Sequence, residues 1–125
     1  MILGFPDQFV PVCRYLVRDG EPTRVKWLND NLLAERGAVY ARIYRGIPVC
    51  IGSAQGKLLG RLKTHLRGTR SKLGRRYWEW AEGKQVSIVA YKPVPIEILG
   101  CKVEVYRGSE ATLINEFKPE FVERI

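Results

Sequence analysis

Apolar positions along the chain alternate with polar ones in some stretches and recur at helical spacing in others, and Gly and Pro separate these runs. Phe9 to Val17 is rich in β-branched and aromatic residues and reads as a strand that ends at the turn Asp19-Gly20. Pro22 suits the first turn of a helix to about Glu35, with Val25, Leu28, Leu32 and Leu33 on its apolar side and Gly37 as its stop. Val39 to Tyr44 predicts a strand, Arg45-Gly46 a turn, and Val49 to Ile51 the returning strand, with Pro48 at its start or edge. Gly56 opens a helix from about Lys57 to Leu66 that turns Leu58, Leu59, Leu62 and Leu66 inward, and Gly68 ends it. A second helix covers Leu73 to Ala81. Val86 to Tyr91 is the clearest strand, broken by Lys92-Pro93-Val94-Pro95. Residues 96 to 106 admit no single assignment, although Lys102 to Tyr106 alternates like a strand. Ser109 caps a last helix that carries Glu110, Leu113, Ile114 and Phe117 and stops before Pro119.

The order is β-β-α-α-β and then α, which predicts an α+β fold: a small, mostly antiparallel sheet flanked by helices. The expected organisation is a short N-terminal extension, residues 1–36, packed on a domain formed by 37–125.

With 125 residues, 46% of them hydrophobic, the chain can bury a core of its own. No apolar stretch approaches the ~20 residues of a membrane span, and Met1 to Asp7 shows neither a basic region nor a long apolar run of the kind a signal peptide needs. Cys13, Cys50 and Cys101 are odd in number and widely spaced, which suits neither a disulfide framework nor a zinc knuckle. An intracellular, reducing setting is expected, cytoplasmic or nucleoid/nuclear, with no membrane partner.

Charge changes the picture more. The net charge is +8, and Lys57, Arg61, Lys63, Arg67, Arg70, Lys72, Arg75 and Arg76 fall between residues 57 and 76 with no acid among them. Ordinary exposed helices mix signs. A one-sign patch suits a polyanion such as a nucleic acid; a solvated helix face is the alternative.

Lys57, Arg61 and His65 lie at i, i+4 and i+8 and line up along one helix. Phosphodiester hydrolysis builds charge on the phosphorus oxygens, and a guanidinium can pair with two of them. A nearby imidazole can hydrogen-bond the nucleophile or accept its proton. By spacing alone, three surface residues on a basic helix are the favoured account of the pattern. Tyr40, on the first hairpin strand, reads by itself as a sheet tyrosine, and Glu110 as an acid at a helix start. A single carboxylate is nonetheless enough for Mg²⁺, which keeps much of its water.

Taken together these residues carry a resemblance. Gly37-Ala38-Val39-Tyr40 is similar to the first motif of the GIY-YIG nuclease family, and Cys50-Ile51-Gly52 to the second, with Ser53-Ala54 following. Arg61 stands at the position of the family's arginine, with His65 one turn later. The segment from Glu110 to Pro119 resembles the late helix that brings the family's metal-binding glutamate and ends in Lys-Pro. The match runs from about Gly37 to Pro119. Three features depart from it: Cys50 replaces the second signature tyrosine, the stretch between Gly52 and Arg61 is one residue longer than is common, and no asparagine follows the Lys-Pro pair.

The resemblance implies a metal-dependent endonuclease that hydrolyses phosphodiester bonds in DNA, with RNA left open as a substrate. Tyr40, Arg61, His65 and Glu110 are the implied catalytic residues. Glu110 is the implied ligand of Mg²⁺ or another divalent cation such as Mn²⁺. Lys57, Lys63, Arg67, Arg70, Lys72, Arg75 and Arg76 are the expected nucleic-acid contacts. A homodimer or a targeting partner is a further expectation. The rival is a non-catalytic nucleic-acid-binding module that retains the fold. Less favoured is a protein-interaction domain with a basic surface.

Overall fold

The computed structural model describes residues 5–67 and 72–122. Five antiparallel strands make the sheet: β1 (Val10–Arg18), β2 (Glu21–Trp27), β3 (Arg36–Tyr44), β4 (Ile47–Lys57) and β5 (Gln85–Tyr91). A two-residue strand, Phe121–Val122, adds to β4 in parallel. It is the last of eight and is called β8, because β6 (Ile96–Ile98) and β7 (Cys101–Val103) form a separate two-stranded ribbon. The spatial order is β2-β1-β5-β3-β4-β8.

Both sheet hairpins close on a dipeptide with positive φ at both residues. These are Asp19-Gly20 (φ 55° and 74°) and Arg45-Gly46 (φ 51° and 78°), which matches the right-handed twist of the strands they join. The first turn is also clasped by Glu82, whose carboxylate accepts the backbone N–H groups of Asp19 and Gly20 at 3.0 and 2.8 Å. Those two bonds hold the Glu82 carboxyl below the usual carboxylate range.

The helix expected from Pro22 to Glu35 is not formed. Residues 21–27 are the edge strand β2, and the only helical turn there is α1 (Asp30–Leu33), capped by the Asn29 side chain on Leu32 N–H. A proline tolerated at a helix start is tolerated equally on an edge strand. Thr23, Val25 and Trp27 supply the alternation and β preference that win. Residues 10–27 thus contribute two strands to the sheet itself, with β1 pairing to β5 along most of its length.

Helix α2 is Leu58–Leu66, α3 is Lys72–Ala81 and α4 is Tyr106–Phe117. Gly56 lies in β4, and α2 begins after Lys57. The last helix begins before Ser109, which sits in its first turn and donates its hydroxyl to Val105 C=O rather than capping it. The side chains of one sheet face, among them Val12, Tyr15, Tyr40, Cys50 and Ile88, pack with Leu58, Leu62 and Leu66 of α2 and Tyr77 and Trp78 of α3. The opposite face, with Val39, Ala41, Ile43, Ile51 and Val89, packs with Phe5, Phe9 and the α4 residues Leu113, Ile114 and Phe117. Strand β3 is buried on both faces from Gly37 to Ile43. Its polar-looking alternation therefore hides a central strand. No helix among the described residues is long and apolar enough to cross a membrane.

Candidate active site at the open half of β4

The β3–β4 hairpin is the platform. Tyr40 faces Gly52 across the ladder and Val39 faces Ser53, with no register shift from Ala38 to Arg42. Successive side chains point to opposite faces. Tyr40 therefore belongs to the α2 side, while Ser53 belongs to the α4 side together with Val39 and Ile51.

On the α2 side, the Tyr40 ring lies 6.1 Å from the His65 ring, centroid to centroid, at an interplanar angle of 52°. Tyr40 exposes none of its surface and His65 only 8%. His65 is thus not part of an exposed basic stripe. It comes seven residues after Leu58 and three after Leu62, spacings that return to the leucine side of the helix. Arg61, one turn earlier, is half-buried. Its Nε is sealed from solvent and finds no hydrogen-bond partner among the described residues. A buried donor left in that state costs about 1–3 kcal/mol. An anion bound between Arg61 and the sheet would recover that cost.

On the α4 side, the Ser53 hydroxyl donates to the Glu110 carboxylate, and Arg107, one turn before Glu110, reaches Gln55 Oε1 at 3.5 Å. These contacts dock the first turns of α4 on the second half of β4. Strand β8 pairs with β4 only at Cys50 and Ile51. From Gly52 onward the outer edge of β4 has no strand partner among the described residues. Arg61 and His65 thus stand on the α2 side of the hairpin and Glu110 on the α4 side.

No protein-family model and no curated protein matches the sequence. In three dimensions the chain is similar to a mutant of bacteriophage T4 EndoII, with a TM-score of 0.64 and 15% identity over 90% of this chain and 89% of that one. It is also similar to the restriction endonuclease Hpy188I, solved in complex with product DNA, with a TM-score of 0.53 and 15% identity over 88% of this chain and 73% of the other. The chain has the GIY-YIG nuclease fold.

Within the GIY-YIG fold, Gly37 has a local reason to be glycine. Its φ is +72°, and a Cβ there would lie 3.0 Å from Lys92 Nζ and 3.1 Å from the Tyr106 ring. Lys92 in turn donates to Arg36 C=O at 2.5 Å and pairs with Glu104 at 3.3 Å, closing the base of the β6–β7 ribbon against β3. Gly37→Ala is expected to cost about 1–3 kcal/mol through the strained φ and the displaced Tyr106 ring. Chemical denaturation of the two proteins checks this, read as a lower midpoint at unchanged slope.

Lys57, Lys63, Arg67, Arg75 and Arg76 are exposed, as a polyanion surface requires. Lys72 lies on α3, but its side chain is outside the described residues, as are Arg70 and the helix stop assigned to Gly68. Tyr77 and Trp78 are core residues. Arg42, 3% exposed, lays its guanidinium 4.3 Å from the Tyr77 ring centroid and 5.7 Å from that of Trp78. The Tyr77 and Tyr15 hydroxyls share a hydrogen bond of 2.5 Å. Burial pushes the Tyr77 phenol up, opposed by Arg42 and by that bond. Cys50 faces Arg42 across the ladder, so the thiol standing at the second signature position belongs to this packed cluster.

Glu110 and Ser53 supply oxygen only, which suits a hard divalent ion. Among the described residues no three His, Cys, Asp or Glu side chains converge into a cage. The fit is therefore to an ion that keeps most of its water and takes one carboxylate. Sequence reasoning passed over Ser53 and Gln55 as partners of α4. The available signal was the pair of polar residues Ser53 and Gln55, alternating after the apolar Ile51 on one face of β4.

Proposed function

We propose that this chain is a metal-dependent endonuclease that hydrolyses phosphodiester bonds in DNA at the open half of β4. The observation that carries the reading is Arg61: a half-buried guanidinium with an unpaired Nε, one helical turn from an imidazole packed on Tyr40. The fold supports it, because the nucleases T4 EndoII and Hpy188I share it and Hpy188I was solved with product DNA.

Arg61 binds the phosphate and pairs most strongly when charge on its oxygens is greatest, so it favours the transition state over the ground state. His65 and Tyr40 orient the attacking water and take its proton. Ser53 holds the Glu110 carboxylate in place as the ligand of Mg²⁺ or a similar ion. When bound, that ion supplies Lewis-acid stabilisation of the phosphate and of the leaving oxygen. Lys57, Lys63, Arg67, Arg70, Lys72, Arg75 and Arg76 follow the phosphate backbone and fix its position.

One observation favours a second reading, a nucleic-acid-binding module without turnover: the Tyr40 ring exposes no surface. Supercoiled plasmid incubated with the protein, with and without Mg²⁺, separates the two. The expected result is conversion to nicked or linear DNA only with the ion. Binding without cleavage in Mg²⁺ and in Mn²⁺ would establish the second reading instead.

A further inference from the structure

The β1–β2 hairpin satisfies charge pairing at one position and violates it at another. Beside its turn, Arg18 faces Glu21 across the ladder, and the opposite charges attract. Further along, Arg14 faces Lys26, two like charges whose direct opposition costs stability. The neighbour of Arg14 on its other side is Ser87 of β5, which offers no charge to offset them. Arg14, Arg24 and Lys26 are exposed, and none forms an ion pair or a side-chain hydrogen bond among the described residues.

A bulge adds the third cation. Between the pairs Arg14–Lys26 and Leu16–Thr23, β1 has one residue and β2 has two. Arg24, in that extra-residue stretch, has a φ of 51°, the left-handed region that glycine fills without strain and arginine does not. Bulges re-aim side chains, and a residue held in such a conformation points to a use for it. Arg24 lines the same hollow as Arg14 and Lys26, a concavity of about 240 Å³ completed by Tyr15, Leu16 and Gln85.

This hollow is not an extension of the basic run in residues 57–76. Arg14, Leu16 and Gln85 alternate with the buried Tyr15, Val17 and Val86, which pack on the α2 and α3 side. The hollow therefore opens on the opposite face of the sheet. Helix α4 lies on that face but packs mainly on β4 and β3, and β5 and β3 separate β1 from the open edge of β4. Three cations and an amide without a paired acid suit a compact oxyanion. A phosphate would offset the Arg14–Lys26 repulsion, pair with the guanidinium forks and accept from Gln85.

We propose that this hollow on the β1–β2 hairpin binds a backbone phosphate of nucleic acid at a point separate from the bond being cut. The inference rests on the nucleic-acid reading above. A contact of this kind adds affinity and salt dependence and leaves the chemical step alone.

The test compares the wild type with the double variant Arg14→Gln, Lys26→Gln, with Arg24→Gly, and with Arg18→Gln as a control on the same hairpin. DNA binding is titrated in Ca²⁺ across a range of salt, and single-turnover cleavage is measured at saturating DNA in Mg²⁺. The double variant is expected to bind about 10-fold more weakly at low salt, with the slope of log affinity against log salt shallower by roughly 1 to 2. Its saturated rate should stay within about two-fold of the wild type. Arg24→Gly is expected to bind about three-fold more weakly or worse and yet to melt at the same temperature or higher, since glycine fits the local φ. A purely structural role would lower the melting temperature instead. Arg18→Gln should keep its DNA affinity within about two-fold, because Arg18 lies outside the hollow. A wild type that binds and cuts DNA, with a double variant of unchanged affinity and salt slope, overturns this proposal alone. A loss in Arg18→Gln as large as that in Arg24→Gly also overturns it. A wild type that neither binds nor cuts DNA overturns the nuclease reading with it. Inorganic phosphate at constant ionic strength separates the two sources of the anion. If it raises the melting temperature of the wild type and not of the double variant, while their DNA affinities are equal, the hollow takes free phosphate and the nucleic-acid assignment is overturned.

Discussion

Glu110→Gln is expected to lose metal-dependent cleavage by roughly three orders of magnitude or more while retaining DNA binding. The amide keeps the volume of the side chain and an oxygen that can still accept from Ser53, so the docking of α4 on β4 through this contact persists. In the proposed reaction the lost negative charge is the ligand of the divalent ion. Basic residues on α2 and α3 are untouched, and with them the attraction to phosphate. The measurement is single-turnover cleavage at saturating DNA, paired with a binding titration in Ca²⁺. Nicking by the variant at the wild-type rate would remove Glu110 from the site.

Arg61→Ala is expected to lower turnover at saturating DNA, whereas Arg75→Ala is expected to weaken binding. Arg61 is half-buried with an idle Nε, whereas Arg75 is exposed on α3. A group that waits in a sheltered position for phosphate charge contributes most in the transition state, and its loss should lower the rate at saturation by roughly two to three orders of magnitude. An exposed backbone contact contributes to affinity and to salt dependence, and its loss should leave the saturated rate within about two-fold. Equal losses for the two variants at saturating DNA would dissolve the distinction. Arg61→Ala also removes a buried unsatisfied donor, so the variant should fold at least as well as the parent.

How far the fold was legible follows from what each segment's chemistry permits. The β3–β4 hairpin, α2, α3 and β5 were readable because their periodicity and their Gly stops agree. The strand β2 was not, because Pro22 is compatible with two local structures and the choice is made by pairing to β1, which no short window contains. The β6–β7 ribbon was missed for a different reason. Leu99-Gly100 makes the same doubly positive turn as Asp19-Gly20 and Arg45-Gly46, but leucine seldom adopts that conformation and gives no turn signal. At the site, the motif residues were proposed by resemblance. Their mounting is carried by periodicity rather than by the motifs. Only the alternation of β3 and β4 reveals that Tyr40 and Glu110 approach from opposite faces, and only the heptad step from Leu58 reveals that His65 is buried.

The strand order has a consequence for how the molecule assembles. The pairs β1–β2 and β3–β4 are joined by tight turns and need only neighbouring residues to form. They do not touch each other as strands. β5 lies between β1 and β3 and pairs with both, bringing residues 10–18 alongside 85–91 and those alongside 36–44. Until β5 inserts, there are two independent hairpins and no continuous sheet. Insertion converts them into one cooperative unit at the cost of closing long loops, the circumstance in which folding is slow and all-or-none. The sheet's continuity therefore rests on Val86, Ile88, Val89 and Ala90, a row of buried side chains far in sequence from both the hairpins they unite.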